Sequence, residues 1–272
     1  MKLRKLKKIY RKVFPVRLSG SDFFTNVLRS NIVINNFEKV NQLYALHLQN
    51  GRELFCRDHM HSDYSVFNQI FVSEEYKTVS SILKLNIELN SKESVLIDAG
   101  ANVGFATVYL NEILSFDKIF CIEPSKDNFK ILEKNTAFLN SDTELVLLEK
   151  ALSGSENVCF SIENNFRDGR DWAITTKENT KGTISGITIN EIIKEYSLNE
   201  VTLLKIDIEG AERFIFQDSI DLSFLNITKV IAIEIHDEFN IREEIYKILY
   251  EKNFLLIESG ETTIGINKKY IK

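Results

Sequence analysis

The sequence predicts an α/β protein: a Rossmann-like, doubly wound, mostly parallel sheet with an antiparallel C-terminal hairpin strand, preceded by an N-terminal helical and hairpin cap. Three observations predict it. From Glu93 onward, short apolar runs alternate with amphipathic runs of helix length, the pattern of a parallel sheet covered on both faces. The first apolar run ends in an acid and a glycine-studded turn, DAGANVG, at residues 98–104. The last two runs, FLLIES and TTIGINK, lie too close together for a crossover and read as a hairpin.

Residues 1–90 read as the cap and 91–272 as the main domain. In the cap, a basic helix comes first. LYALHLQNGRELFCR follows, an alternating segment broken at Asn50-Gly51, the strongest short hairpin signal. DYSVFNQIFVSEEYKTVSSILKL spaces its apolar residues irregularly at three and four, which suggests helix. In the main domain SVLIDAG is a strand and GFATVYLNEIL a helix. KIFCIEP is the second strand, and KDNFKILEKNTAFLN a helix with Phe129, Leu132 and Leu139 as its apolar positions. ELVLLEKAL is a third strand, and NVCFSIE a strand or hairpin arm inside the irregular section 153–187. TINEIIKEY carries a Thr three residues before a Glu, a capping box. VTLLKIDIEG and KVIAIEI are strands with AERFIFQDSI as a helix between them, and EEIYKILYEKN is the last helix before the closing hairpin, which supplies an antiparallel edge strand.

Composition narrows the function. With 44% hydrophobic and 27% charged residues the chain has the make-up of an ordinary globular protein. The first 17 residues hold eight Lys and Arg and no acid; without them, 26 basic and 39 acidic residues leave the body near −13. Such a body does not present the basic face that nucleic acids require, so no nucleic-acid partner is expected. The basic start suits either a frayed, solvated helix or peripheral contact of residues 1–17 with an anionic membrane surface. No apolar run reaches 18 residues, and the N-terminus lacks the apolar core of a secretory signal. Cys56, Cys121 and Cys159 are scattered and form no CxxC pair, which reads as reduced thiols and a cytoplasmic address, extending to the inner face of the membrane if the basic start binds there.

In a doubly wound fold, ligands sit outside the carboxyl ends of the strands, where the turn after Asp98 lies. A P-loop would need Gly-Lys-Ser/Thr, but Phe105 follows Gly104. The dinucleotide fingerprint G-x-G-x-x-G is also absent, because Ala101, Asn102 and Val103 separate the two glycines. What remains is an acid ahead of a glycine turn. An acid there repels a pyrophosphate but suits the ammonium of an amino-acid moiety, directly or through water, which points to S-adenosylmethionine. Glu123, at the end of the second strand, suits the two hydroxyls of a ribose. The competing explanation, that Asp98 and Glu123 merely cap the helices that follow, accounts for each alone better than for both together.

VLIDAGANVGFATVYL, FCIEPSKDNFKILEKN, EKALSGSENVCF and LLKIDIEGAE resemble, in order and spacing, the FkbM-family methyltransferases, over residues 60 to 260. The D-x-E-G-x-E stretch from Asp207 to Glu212 is the most distinctive part. The resemblance implies a class I, S-adenosylmethionine-dependent O-methyltransferase, acting on a hydroxyl of a saccharide in surface polysaccharide or glycolipid biosynthesis, or on a polyketide or other small molecule. Asp98, Gly100, Ala101, Asn102, Gly104, Glu123 and Ala151 are the expected cofactor-binding residues.

Methyl transfer needs the acceptor oxygen held in line with the sulfonium and a group to take its proton. Asp207, at the end of the strand expected beside the first, is the leading candidate. Glu209 follows, with Glu212 behind it because an acid at a helix start often only complements the dipole. Glu234 and His236 alternate along a strand and share one face, and His236 titrates in the range of a base. DHMHSDY, residues 58–64, mimics a metallo-hydrolase motif but lacks further histidines, as only His47 and His236 remain elsewhere. Asp207 and Glu234 resemble the acids of a divalent-cation site, yet no Asp-Asn pair follows, so no metal is expected. NNFRDGRDW, with Arg167, Arg170 and Trp172, suits a sugar-like or anionic acceptor as well as it suits an exposed loop. The runner-up function is a non-catalytic cofactor-binding partner of the same fold.

Overall fold

A computed structural model describes residues 20–86, 93–163, 175–178 and 182–271. The chain divides into two compact units, Met1–Tyr64 and Ser65–Lys272. The segment 65–86, grouped by sequence with the cap, therefore counts with the larger unit. The smaller unit contains helix α1 (Gly20–Ser30) and a three-stranded antiparallel sheet of β1 (Ile34–Val40), β2 (Leu43–Leu48) and β3 (Glu53–Cys56). The Asn50-Gly51 hairpin joins β2 to β3 as expected, with Gly51 at φ +83°. Neither α1 nor β1 was foreseen; INNFEKV is polar and mostly exposed, so its pairing with β2 leaves little apolar alternation to read.

Helix α2 (Asp63–Phe67) runs across the boundary at Tyr64 and Ser65 into a π-turn at Asn68–Val72, and helix α3 follows (Lys77–Asn86). The stretch expected to be helical is thus helical in separate pieces. Glu74 sits in the left-handed region at φ +53°, which ends the helical run and sets Glu75 and Tyr76 apart from either helix.

The main sheet has seven strands. In chain order they are β4 (Val95–Ala99), β5 (Lys118–Ile122), β6 (Glu144–Leu148), then, after a small sheet of β7 (Ala151–Leu152), β8 (Cys159–Glu163), β9 (Thr175–Glu178) and β10 (Ile184–Ile187), the strands β11 (Val201–Ile206), β12 (Thr228–Glu234), β13 (Phe254–Ser259) and β14 (Thr262–Asn267). Their spatial order is β13-β14-β12-β11-β4-β5-β6, with the order reversing between β4 and β11. β4, β5, β6, β11 and β12 pair in parallel, whereas β14 runs antiparallel to both neighbours. The antiparallel strand is therefore inside the sheet rather than at its edge: β13 takes the outer place, and the short turn folds β14 back against β12. ELVLLEKAL, read as one strand, splits into β6 and β7, which belong to different sheets.

Helices α4 (Phe105–Leu114), α5 (Lys126–Thr136), α6 (Ile189–Glu195) and α7 (Arg242–Glu251) connect these strands. The predicted capping box starts α6: the Thr188 hydroxyl accepts from the Glu191 amide at 3.0 Å, and Glu191 accepts from the Thr188 amide at 2.8 Å. The helix expected at 211–220 does not form; short 3₁₀ turns at Ala211–Phe214 and Ser223–Asn226 replace it. Left-handed residues at Glu209 and Gly210 precede the first turn, and Ile215, Phe216, Phe224 and Leu225 are buried from this irregular stretch, so burial rather than helical periodicity arranges them. β4 and β11 are buried at every position. Among the described residues no helix is long and apolar enough to cross a membrane.

Candidate active site

The turn after β4 is built by backbone geometry. The amides of Gly100 and Ala101 both donate to the Ile122 carbonyl of β5, at 2.9 and 3.0 Å. Gly100 has φ +78°, and a Cβ there would stand 1.7 Å from the Asp207 carbonyl oxygen. Asn102 at φ +51° and Gly104 at φ +86° complete the turn and start α4. Glycine is required twice, once by close approach of β11's exit and once by the left-handed start of a helix packed on Leu132.

Asp98 is fully buried, and its carboxylate is already engaged. Thr107 donates to it at 2.6 Å, and the Lys205 ammonium lies 3.1 Å away. Asp98 and Lys205 are register partners on β4 and β11, so a parallel pairing sets the two charges side by side. Lys205 also donates to the Gly100 carbonyl at 2.7 Å and lies 3.7 Å from Asp207. Burial alone would lower its pKa, but Asp98, Tyr76 and Asp207 outweigh that and hold it protonated. Sequence reasoning missed Lys205, although a lysine inside an apolar strand is itself a signal that a buried acid lies nearby.

Glu123 is buried at the end of β5. Its oxygens accept from the amides of Asn102 at 2.9 Å and Ser125 at 2.8 Å, with the Asn128 side chain at 3.4 Å. Burial pushes its carboxyl up to about 7, against the lowering effect of those donors and Lys205. The acid thus ties the glycine turn to the start of α5.

A cavity of about 180 Å³ opens beside the turn, within the larger unit. Gly100, Ala101, Asn102, Val103, Phe105 and Ala106 form one wall; Asp207, Glu209 and Glu234 face it from the ends of β11 and β12. Glu75 and Tyr76, after the break between α2 and α3, and Glu261, from the β13–β14 turn, also line it. The charge is one-sided: five carboxyl groups against Lys205. Burial and the Asp207 charge raise Glu234 to about 8, and burial with Asp207 raises Glu75 as well. Glu261 comes from a segment without a motif; Glu75 and Tyr76 end the SDYSVFNQIF…EEY stretch that the family resemblance implies leans over the cofactor, but nothing in that stretch singles out either residue.

His236 stands behind these acids, 2% exposed. Its Nδ1 is 3.1 Å from Glu212 Oε1, which also accepts from the Ile208 amide at 3.2 Å. Its Nε2 is 3.3 Å from Glu209 and 3.7 Å from Glu234. Burial works against the charged ring, but the carboxylates of Glu209 and Glu212 beside it prevail and raise it to about 11. A ring that holds its proton at neutral pH must lose it before His236 can act as the expected base or offer Nε2 to another ligand. Glu212, fully buried, orients the ring.

Of the expected cofactor residues, the structure brings Gly100, Ala101 and Asn102 to the cavity, with Asp207 and Glu209 opposite. Asp98, Gly104 and Glu123 are not part of this lining; Asp98 is tied to the turn through Lys205 and the Gly100 carbonyl, and Glu123 through the Asn102 amide. Ala151 is buried in β7, away from this cavity's lining. The decoy at 58–64 gathers no ligand set: Asp63 is held by Arg57, whose Nη2 is 2.6 Å from Oδ1 and whose amide donates at 2.7 Å. The expected metal-free site nonetheless gathers potential ligands, since atoms of Asp207, Glu209 and His236 lie within 4.8 Å of one another. Arg167, Arg170 and Trp172, and the basic residues 1–17, lie outside the described residues.

The model of the methyltransferase FkbM domain matches residues 98–256. Methyltransferase sdnD of Sordaria araneosa is 21% identical over 189 residues, 58% of this chain and 73% of that protein. Among solved structures, methyltransferase FkbM of Methylobacillus flagellatus KT is 16% identical with a TM-score of 0.39, over 75% of this chain and 55% of that one. TrmK of M. capricolum, bound to S-adenosylhomocysteine, is 10% identical with a TM-score of 0.37, over 71% and 69%.

Proposed function

We propose that this chain, which belongs to the FkbM methyltransferase family, moves the methyl group of S-adenosylmethionine onto a hydroxyl oxygen of a saccharide acceptor. The family fixes methyl transfer and the donor; the hydroxyl and the saccharide are our reading. One observation carries it. The glycine turn and the carboxyl groups of Asp207, Glu209 and Glu234 face each other across one cavity, so a donor on the turn would present its methyl to an acceptor held by acids.

In this reading the backbone of Gly100–Asn102 lies against the amino-acid part of the cofactor, where no side chain intervenes. Glu123 accepts the ribose hydroxyls, and Lys205 fixes the turn through the Gly100 carbonyl. Asp207 orients the acceptor hydroxyl and takes its proton as the oxygen attacks the methyl carbon and the carbon–sulfur bond breaks. Carboxylates suit this task because they accept from several sugar hydroxyls at once. Reaction in the cytoplasm is supported by the free thiols of Cys56, Cys121 and Cys159.

The test combines calorimetry with S-adenosylhomocysteine and transfer of labelled methyl from the donor to a panel of glycans. Asp207→Asn is expected to keep cofactor affinity within about threefold and lose roughly 10²–10⁴ in kcat. Absence of cofactor binding by the wild type would overturn the site; binding without transfer to any hydroxyl acceptor would favour a non-catalytic partner protein.

A further inference from the structure

The carboxyl groups around His236 do more than repel one another. We infer that Asp207, Glu209 and His236 form a binding site for one divalent cation on the acceptor side of the cavity. Three observations converge on it. First, the ligand atoms of these three residues lie within 4.8 Å of one another. Atoms sharing an ion at 2.0–2.2 Å in tetrahedral geometry lie about 3.3–3.6 Å apart, so side-chain shifts of up to about 1 Å would close the set.

Second, His236 Nε2 is buried with no hydrogen-bond partner, although Glu209 and Glu234 oxygens stand 3.3 and 3.7 Å away. Neither contact meets hydrogen-bond geometry, so this buried nitrogen has no directed partner among the described residues. The other ring nitrogen is fixed by Glu212 at 3.1 Å. A carboxylate behind a histidine sets the tautomer and orientation that metal ligation uses.

Third, Glu209 is a non-glycine residue at φ +52°, followed by Gly210 at φ +87°. A left-handed glutamate costs about 1–3 kcal/mol and persists where the surroundings require it. Here it turns the side chain toward His236. Two carboxylates and an imidazole suit manganese, cobalt or zinc better than magnesium or calcium, which prefer all-oxygen sets. The ion would offset the cavity's excess of acids and take the place of the proton on Nε2. Its use in holding the acceptor oxygen rests on the methyl-transfer reading; its binding does not.

The experiment uses the full chain after chelation and dialysis, titrated by calorimetry with Mn²⁺ and with Co²⁺. One ion per chain is expected, with at least tenfold weaker binding in Glu209→Gln. Glu261→Gln, which removes a cavity acid outside the set, should change affinity less than about twofold. Equal weakening by both variants would mean diffuse attraction by charge and would overturn the inference, as would no binding by the wild type. If Glu209→Gln fails to fold, the visible spectrum of wild type with Co²⁺ decides: ligand-field bands distinct from the aquo ion support the site, and the aquo spectrum refutes it. S-adenosylhomocysteine titrated on the same sample separates the two claims, since loss of cofactor binding counts against methyl transfer and leaves the metal result standing.

Discussion

Glu123 shows how one side chain can couple protonation to both folding and ligand binding. Folding raises its pKa from 4.5 to about 7 through burial. The folded chain therefore holds this proton more tightly than the unfolded chain, and the stability it contributes is present below about 4.5 and lost as pH rises to about 7. Cofactor binding has the opposite sign, because two ribose hydroxyls donate to the carboxylate and not to the acid. Affinity for S-adenosylhomocysteine should rise with pH from 5.5 to 7, by up to about tenfold per unit, and level off above. Calorimetry across that range checks it, and the slope should vanish in Glu123→Gln; an equal slope in both would assign the titration elsewhere. Gly100 makes a sterically stricter prediction. Alanine there places a methyl 1.7 Å from the Asp207 carbonyl at φ +78°, so Gly100→Ala should lose more than about 2 kcal/mol of stability and measurable cofactor binding. At this scale the sequence was legible where spacing carries meaning: DAGANVG named its own turn. It was not legible for Lys205, Glu75 and Glu261, whose importance comes from strand register and chain return.

The pairing of β4 with β11 turns Asp98 and Lys205 into one structural unit. Each is a buried charge that the other compensates most closely, while Thr107 donates to Asp98 and Lys205 donates to the Gly100 carbonyl. Breaking such a pair from one side costs about 3–5 kcal/mol, while replacing both members is far milder. Lys205→Met is thus expected to lower the melting temperature sharply, and Asp98→Asn with Lys205→Met to recover much of the loss; chemical denaturation of the two variants measures it. If the double variant is no more stable than the single one, Lys205 matters through Gly100 or Asp207 and not through Asp98. Elements with their own end signals were readable in advance, as the Thr188–Glu191 capping box shows. The stretch after Gly210 was not. AERFIFQDSI has apolar residues at helix-like spacing, yet two left-handed residues ahead of it and buried Ile215 and Phe216 hold it in 3₁₀ turns. Tertiary burial overrode local propensity there, as it did where Glu74 splits the run between α2 and α3.

At the scale of the whole molecule, the sheet order brings together acids that are far apart in sequence. The reversal between β4 and β11 places the glycine turn against Asp207, and the insertion of β14 beside β12 carries Glu261 to the same rim as Glu234. No local pattern announces this, because the charge density arises only when four separate chain segments converge. It has a consequence for the acceptor. The cofactor brings a sulfonium, an ammonium and a carboxylate, one net positive charge, into a cavity lined by five carboxyl groups and one lysine. Protonation of Glu234, raised to about 8, reduces the excess in the metal-free protein without removing it. An acceptor with its own carboxylate or phosphate near the reacting hydroxyl would then meet like charge in a partly desolvated space, a penalty of several kcal/mol when unpaired. Neutral glycans are therefore expected to be methylated with kcat/KM at least tenfold above matched glycans bearing uronic acids. Raising ionic strength should narrow the gap, since salt screens repulsion that begins before the acceptor is buried. Paired assays of a neutral oligosaccharide and its oxidised counterpart, at low and high salt, measure both effects. Preference for the anionic acceptor would mean that basic residues from outside the described cavity dominate recognition.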